Sequence, residues 1–254
     1  MRTSLVLQGP VSTVFFAALD HYLAVFDDVV ISGYHADLRW YAEHWPRLND
    51  PRIQLVLSSN QVPQGINNHG NAWYQHHTTA AGIRASSGEF VVKARMDERY
   101  SNMQAVVAQL QRQPRKFHTL NLYFRKDGEL KFHVSDHLYG GHRDLMLRAS
   151  ETVVRWCGQR EDIARLYPQS AWSECMLGMA MVLARGEIPD PTRSSTQIIN
   201  SVGIIPIQDL QPFEFTSATE RLRYTDIDSI IACRSVGPGM TNWLYRTTEE
   251  YMDA

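Results

Sequence analysis

Between Gly88 and Tyr100 the chain reads Gly-Glu-Phe-Val-Val-Lys-Ala-Arg-Met-Asp-Glu-Arg-Tyr. Lys93 and Arg95 follow directly on the apolar run Phe90-Val91-Val92. They stand two apart, so on a strand they share a face, and Asp97 continues that face if the extended geometry lasts. Two cations at the end of a buried strand can neutralise a diphosphate, Arg95 as a bidentate fork and Lys93 as a point charge. Asp97 and Glu98 add hard oxygens of the kind a divalent cation takes. The stretch therefore reads as a site for an anion, a metal or both. The competing reading is an internal ion pair, with Glu89, Asp97 or Glu98 saturating the cations.

Three other groups could join it. Gln8-Gly9 follows the first apolar run, and a glycine there lets the backbone come close to a nucleotide or phosphate. Asp136-His137, with Gly140-Gly141-His142 close behind, is the densest polar group in the second half, and His142 could bind phosphate. Glu174 stands at the start of an apolar helix, where it either complements the helix dipole or serves as a general base for a hydroxyl. A zinc set of His133, Asp136, His137 and His142 is conceivable but has no familiar ligand spacing. His77 and Arg84 share a helix face with Trp73, Ala80 and Ala81 and are candidate acceptor contacts, as is His137. There is no P-loop, Gly-x-Gly-x-x-Gly, Cys-x-x-Cys or Ser-His-Asp order.

The elements that must carry these residues alternate. Ser4–Leu7, Asp28–Gly33 and Ile53–Leu57 read as short buried strands. A helical stripe of Phe15, Phe16, Leu19, Tyr22, Leu23 and Phe26 lies between the first two, and Leu38–Trp45 lies between the second and third. Strand-helix-strand-helix-strand predicts a parallel sheet with right-handed crossovers, whose carboxyl rim is where ligands bind. A polar loop, Ser58–Gly70, precedes a helix that runs to about Ser86. Further on, the pattern predicts a helix over Met103–Leu110, a strand over His118–Phe124, a hairpin turn at Asp127-Gly128 and a return strand over Leu130–Val134. Helices then follow over Asp144–Trp156, Arg160–Leu166 and Trp172–Ala184. Residues 1–186 read as one catalytic domain, and 187–254 as an irregular embellishment packed on it, with a short β run at Thr196–Ile199. Asp226–Cys233 is helix or strand.

The chain has 254 residues, 44% of them hydrophobic and 20% charged, enough for one large α/β domain with a sizeable core. A net charge of −2 argues against a dedicated nucleic-acid binder, though not against a local basic pocket. Three cysteines, Cys157, Cys175 and Cys233, lie far apart and fit buried thiols in a reducing cytosol. No apolar run approaches the ~20 residues of a membrane span, and the N-terminal apolar core is too short for a signal peptide. The expectation is a soluble cytoplasmic protein, with loose attachment to the inner face of the membrane or to an assembly left open.

Leu5-Val6-Leu7-Gln8-Gly9-Pro10 resembles the first-strand signature of the WavE-type lipopolysaccharide-synthesis proteins. So does the segment from Asn71 through Gln75, Thr78, Thr79 and Gly82 to Lys93-Ala94-Arg95-Met96-Asp97, followed by Ser135-Asp136-His137. The resemblance covers roughly residues 4 to 180. It implies a GT-A-like, Rossmann-type domain with a mostly parallel sheet flanked by helices, and a glycosyltransferase of cell-surface polysaccharide synthesis. It also implies a strand-end acid where GT-A enzymes carry Asp-x-Asp. Here the segment is Arg95-Met96-Asp97, with arginine in place of the first acid. Either Asp97 alone holds Mg or Mn with the donor's phosphates, or Lys93 and Arg95 replace the metal. The start of the Glu174 helix is similar to the region that supplies the catalytic base in many inverting GT-A enzymes; Asp136 is the rival.

On this reading Gln8, Gly9, Lys93, Arg95 and His142 would hold a diphosphate-activated sugar donor, and Asp97, Asp136 and Glu174 would do the chemistry on a glycan acceptor. Two alternatives keep the fold: a phosphoribosyl- or polyol-phosphate transferase, and a non-catalytic glycan- or nucleotide-binding module of a polysaccharide-assembly complex.

Overall fold

The computed structural model describes residues 1–66, 71–122, 124, 130–158, 172–216, 223–228 and 246–253. Four strands build the centre: β1 (Thr3–Gln8), β2 (Asp28–Tyr34), β3 (Ile53–Ser58) and β4 (Phe90–Arg95). All pair in parallel, in the spatial order β3-β2-β1-β4. Three more complete a seven-stranded sheet: β6 (Phe117–Leu120), β7 (Tyr139–His142) and β8 (Val202–Ile205), in the order β4-β7-β6-β8. β7 runs antiparallel to both β4 and β6, whereas β8 is parallel to β6. A second, three-stranded sheet joins β5 (Arg99–Tyr100), β9 (Phe213–Thr216) and β10 (Arg223–Tyr224). The expected α/β architecture, a mostly parallel sheet between helices, is what the chain forms.

Strand alternation makes the layers. Leu5, Leu7, Val29, Ile31, Phe90, Val92 and Ala94 point to one face. There they meet α1 (Leu19–Val25), α2 (Leu38–Leu48) and α4 (Met103–Arg112). Val6, Val30 and Val91 point to the other face, toward α3 (Ala72–Ala85), α5 (Arg143–Cys157) and α6 (Ser173–Ala184). Both faces are covered, so β1, β2 and β4 are buried almost throughout, and each has an unbroken apolar run at its centre: Leu5–Leu7, Val29–Ile31 and Phe90–Val92. Gly82 lets α3 settle on β1, since a methyl there would overlap the Val6 side chain. α7 (Ser194–Ser201) leads into β8, and α8 (Thr248–Asp253) places Tyr251 in the second core.

The departures from expectation have local causes. The stripe from Phe15 to Phe26 is buried as expected, but the helix is a 3-10 turn, Val14–Ala17, followed by α1. The strand expected to reach Phe124 stops at Leu120, and Leu130–Val134 is irregular rather than a return strand. β6 pairs instead with β7, further along the chain. Thr196–Ile199 is helical despite its β-branched residues, because Gln197 and Ile198 turn inward one helical face together. β8, from the part of the chain read as embellishment, completes the central sheet. The hairpin turn at Asp127-Gly128, the helix over Arg160–Leu166 and most of Asp226–Cys233 lie outside the described residues.

Candidate active site

The chain order of the sheet reverses between β1 and β4. From β1 it winds out through β2 to β3, and then returns to β4 on the other side of β1. The carboxyl ends of two strands that diverge in this way flank a crevice. Gln8 and Arg95 are register partners at that point, and the Met96 N–H donates to the Gln8 carbonyl at 2.9 Å. Gly9 follows with φ +118, a conformation costly to other residues, and has open space where a side chain would be.

Strand pleat sends Lys93 and Arg95 to the same face, as their spacing predicts. Their fates differ. Lys93 lies under the rim with no exposed surface. Its ammonium donates to the Asp136 carbonyl and stands 5.3 Å from the centre of the Tyr139 ring, the residue opposite it on β7. Burial pushes its pKa down to about 8, against the pull of Asp136. A group so enclosed cannot touch a bound diphosphate; it positions Asp136. Arg95 reaches further and keeps 20% of its side chain exposed. It grips Asp97 with two bonds, Nε to Oδ1 at 2.9 Å and Nη2 to Oδ2 at 2.7 Å.

β7 runs antiparallel, so the residues that precede it, and not those that follow it, lie at the rim of β4. This puts Asp136 and His137 beside Lys93 and Arg95. Asp136 Oδ2 accepts from Gln75 Nε2 at 2.7 Å. Burial works against its ionisation, but His137, Lys93, Arg95 and Gln75 outweigh it and hold the carboxyl well below the usual carboxylate range. His137 Nδ1 meets Glu98 Oε1 at 2.5 Å, and its Nε2 lies 3.9 Å from Asp136 Oδ1. Burial disfavours the imidazolium, yet Glu98 and Asp136 overcome it and raise the pKa of His137. Glu174, half-buried at the start of α6, moves the other way from Asp136: burial and the neighbouring Asp136 charge raise its pKa. Its Oε2 accepts from the Ser173 hydroxyl at 3.0 Å.

Glu98, expected with Asp97 as a hard-oxygen ligand or as a partner of the cations, takes the second role. It has no exposed surface and accepts from the Tyr100 hydroxyl at 2.9 Å, while Arg95 Nε lies 3.3 Å away. The sequence held a signal for it: Met96, Glu98 and Tyr100 alternate, and all three are fully buried. His76 is fully buried. It falls at the spacing of Ala72, Ala80 and Ile83, the buried face of α3. Neither of its ring nitrogens has a hydrogen-bond partner, and burial, with Lys93 nearby, pushes its pKa down to about 3.

Arg84 and His142 are not brought here, and His77 packs against its own helix. His77 stacks on Trp73 with centroids 4.5 Å apart. Arg84 pairs with Glu151 at 2.6 Å at the far end of α3. His142 is the register partner of Phe90 at the opposite rim, where its Nδ1 accepts from the Asp144 N–H and caps α5. The zinc set is thereby broken up. Among the described residues no group of three His, Cys, Asp or Glu side chains is placed to hold a metal ion. Nor is any helix among them long and apolar enough to cross a membrane.

No protein-family model matches the chain, and no curated protein does. Among solved structures, S. aureus TarS aligns at 12% identity and a TM-score of 0.35, over 60% of this chain and 31% of that one. TarS 1–349 aligns at 11% and 0.38, over 81% and 58%. HddC from Yersinia pseudotuberculosis, complexed with GMP-PN, aligns at 9% and 0.37, over 58% and 79%. The chain thus matches less than two thirds of either TarS structure, and no residue role is taken from these likenesses.

Proposed function

We propose that the chain is a GT-A-like transferase that moves a glycosyl group from a diphosphate-activated donor to a hydroxyl of a glycan acceptor, in cell-surface polysaccharide synthesis. The observation that carries this reading is the pair Asp136 and Glu174. Asp136 is held beside Arg95 by Gln75 at 2.7 Å and by the Lys93 ammonium; its charge, with burial, raises the pKa of Glu174, while the surrounding cations lower its own. Two carboxyls split in this way are suited to two roles. Glu174 has the basicity to take the acceptor's proton. Asp136 stays ionised and faces the positive charge that develops at the anomeric carbon. We assign Arg95 and the open Gly9 backbone to the donor, and Asp97 to a sugar or ribose hydroxyl. Gln75 and Lys93 fix Asp136 and need not touch substrate. The WavE-type resemblance of residues 4 to 180 implies the same activity.

The test is turnover with UDP-, GDP- and CMP-sugars and with phosphoribosyl diphosphate, against a panel of bacterial glycans. Binding is followed by thermal shift, which approaches about 2.7 kcal/mol of stabilisation at a hundredfold excess over Kd. Transfer of a hexose, lost in both Glu174→Gln and Asp136→Asn, supports the proposal. Transfer from phosphoribosyl diphosphate alone, or full activity in both variants, overturns it.

A further inference from the structure

Among the described residues, five large hydrophobic side chains are well exposed: Met1, Leu38, Trp45, Trp172 and Ile188. A single apolar residue on a surface needs no explanation in itself. Position sets Trp172 apart. It alone of the five lies within two residues of a group given a chemical role above, the carboxyl of Glu174. It stands immediately before α6 and is 50% exposed.

The backbone that carries this ring is anchored. Trp172 is extended, with φ −95 and ψ 138, and its carbonyl accepts from the Met176 N–H at 3.1 Å, which ties it to the first turn of α6. The helix enters the core at once, since Ser173, Cys175 and Met176 are all buried. The indole is therefore a broad apolar face on a fixed support, open to water at the end of the helix that carries Glu174. An aromatic side chain can bury about 150–250 Å², so a ligand laid on the exposed half has much to cover.

A pyranose has the matching chemistry. Its C–H groups point out from the faces of the ring and its hydroxyls from the edge. One face can lie on the indole while an edge hydroxyl meets a carboxylate. Two residues of chain span at most about 7 Å, so a sugar over Trp172 is within reach of Glu174. Ser173 is hydrogen-bonded to Glu174 Oε2 at 3.0 Å and steadies that carboxyl. Arg95 and Gly9, assigned to the donor, belong to other elements, the ends of β4 and β1. Resting on the transferase reading above, we propose that Trp172 is the acceptor platform: the terminal pyranose of the glycan stacks on its indole, and this presents a hydroxyl to Glu174. Trp172 takes no part in proton transfer; it binds the acceptor and sets which hydroxyl is offered.

The test uses the intact protein labelled with ¹⁵N-tryptophan, with the Trp172 indole signal assigned by its absence from Trp172→Phe. The probes are the methyl β-glycosides of glucose, galactose and N-acetylglucosamine, set against uridine, cytidine and guanosine, whose bases also stack on an indole. The expected result is a saturable shift of the Trp172 signal with at least one glycoside and none with the nucleosides. In turnover with the preferred glycan, Trp172→Ala should raise the acceptor KM about tenfold or more, about 1.4 kcal/mol or above, and leave the donor KM unchanged. Trp172→Phe, which keeps an aromatic face, should retain most of the affinity. No shift with any glycoside, a shift with nucleosides instead, or a wild-type acceptor KM in Trp172→Ala overturns the proposal. The wild-type titration decides even if a variant does not fold. Glycoside binding at Trp172 with no transfer from any donor would keep the sugar platform and remove the transferase reading.

Discussion

Arg95 and Asp97, two residues apart on one chain, close a ring of two hydrogen bonds at 2.9 and 2.7 Å, with 20% of each side chain exposed. A bidentate pair this sheltered is a structural clamp on the turn that follows β4, and that turn delivers Glu98 inward. Asp97→Asn keeps the shape and removes the charge. The expected cost is about 2 kcal/mol, in the range of hydrogen bonds to charged groups. It is read as a lower denaturant midpoint with an unchanged slope.

Glu174→Gln should separate activity from stability. A lost general base lowers kcat by about 10² to 10⁴. Stability should hold or improve. The folded pKa of Glu174 is raised, so its contribution is complete below the ordinary value of 4.5 and is lost as pH rises through the folded value. Above the folded value the ionised carboxylate is a burden that glutamine removes. A melting temperature well below wild type would contradict this account.

Lys93→Met tests the buried cation. Methionine fills a similar volume but leaves the Asp136 carbonyl without its donor and the nearby carboxylates without a counter-charge. Removing one partner of a buried set costs about 3–5 kcal/mol. Melting should fall by about 10 °C in a chain of this size. Unchanged melting would mean that Lys93 is not the strut beneath Asp136.

The pH dependence of stability has a definite sign on each side. Asp97 and Asp136 have lowered values, so their contribution is present above the ordinary 3.8 and is lost as pH falls through the folded values. His137 has a raised value, so its contribution is present below the ordinary 6.5 and is lost as pH rises through the folded value. Lys93 acts in the opposite sense, adding stability from about 8 toward 10.5. Melting curves should therefore decline between 6.5 and about 8, and His137→Gln should flatten that decline.

Gly178→Ala probes the packing behind the site. A methyl there would run into the Phe132 carbonyl, and Phe132 itself sits at φ 59. The segment leading to Asp136 and His137 would have to move away from α6. Overpacking of this kind costs about 1–3 kcal/mol, and activity should fall along with stability. Wild-type activity in a destabilised Gly178→Ala protein would show that the segment's position is not critical.

The layout of β1 to β4 was readable because each strand is a short apolar run closed by a turn residue, and parallel topology brings their ends together. The shared face of Lys93 and Arg95 followed from the same period of two. What the pattern did not carry was depth: spacing puts Lys93 on a face but does not say that Tyr139 and Asp136 will close over it. β7 was missed because Gly140-Gly141 has the look of a turn. The strand needs glycine at 140, where a side chain would press on the Val91 carbonyl of β4. The assignment of phosphate binding to His142 followed from that error, since in a strand antiparallel to β4 this residue lands at the wrong rim. For Glu98 the sequence left a metal ligand and an ion-pair partner both open; its alternation with Met96 and Tyr100 is the pattern that goes with its burial.

β6 and β8 are adjacent in space, yet most of the second core layer, including α5 and α6, lies between them along the chain. A ribosome must release residues up to Ile205 before the sheet can close, and until then β6 offers an unpaired edge. The nascent chain thus passes through a stage with its carboxylate rim assembled and its outer strand missing. An unpaired edge at that stage is open to pairing with another chain, so chaperone access then should raise the yield of folded protein.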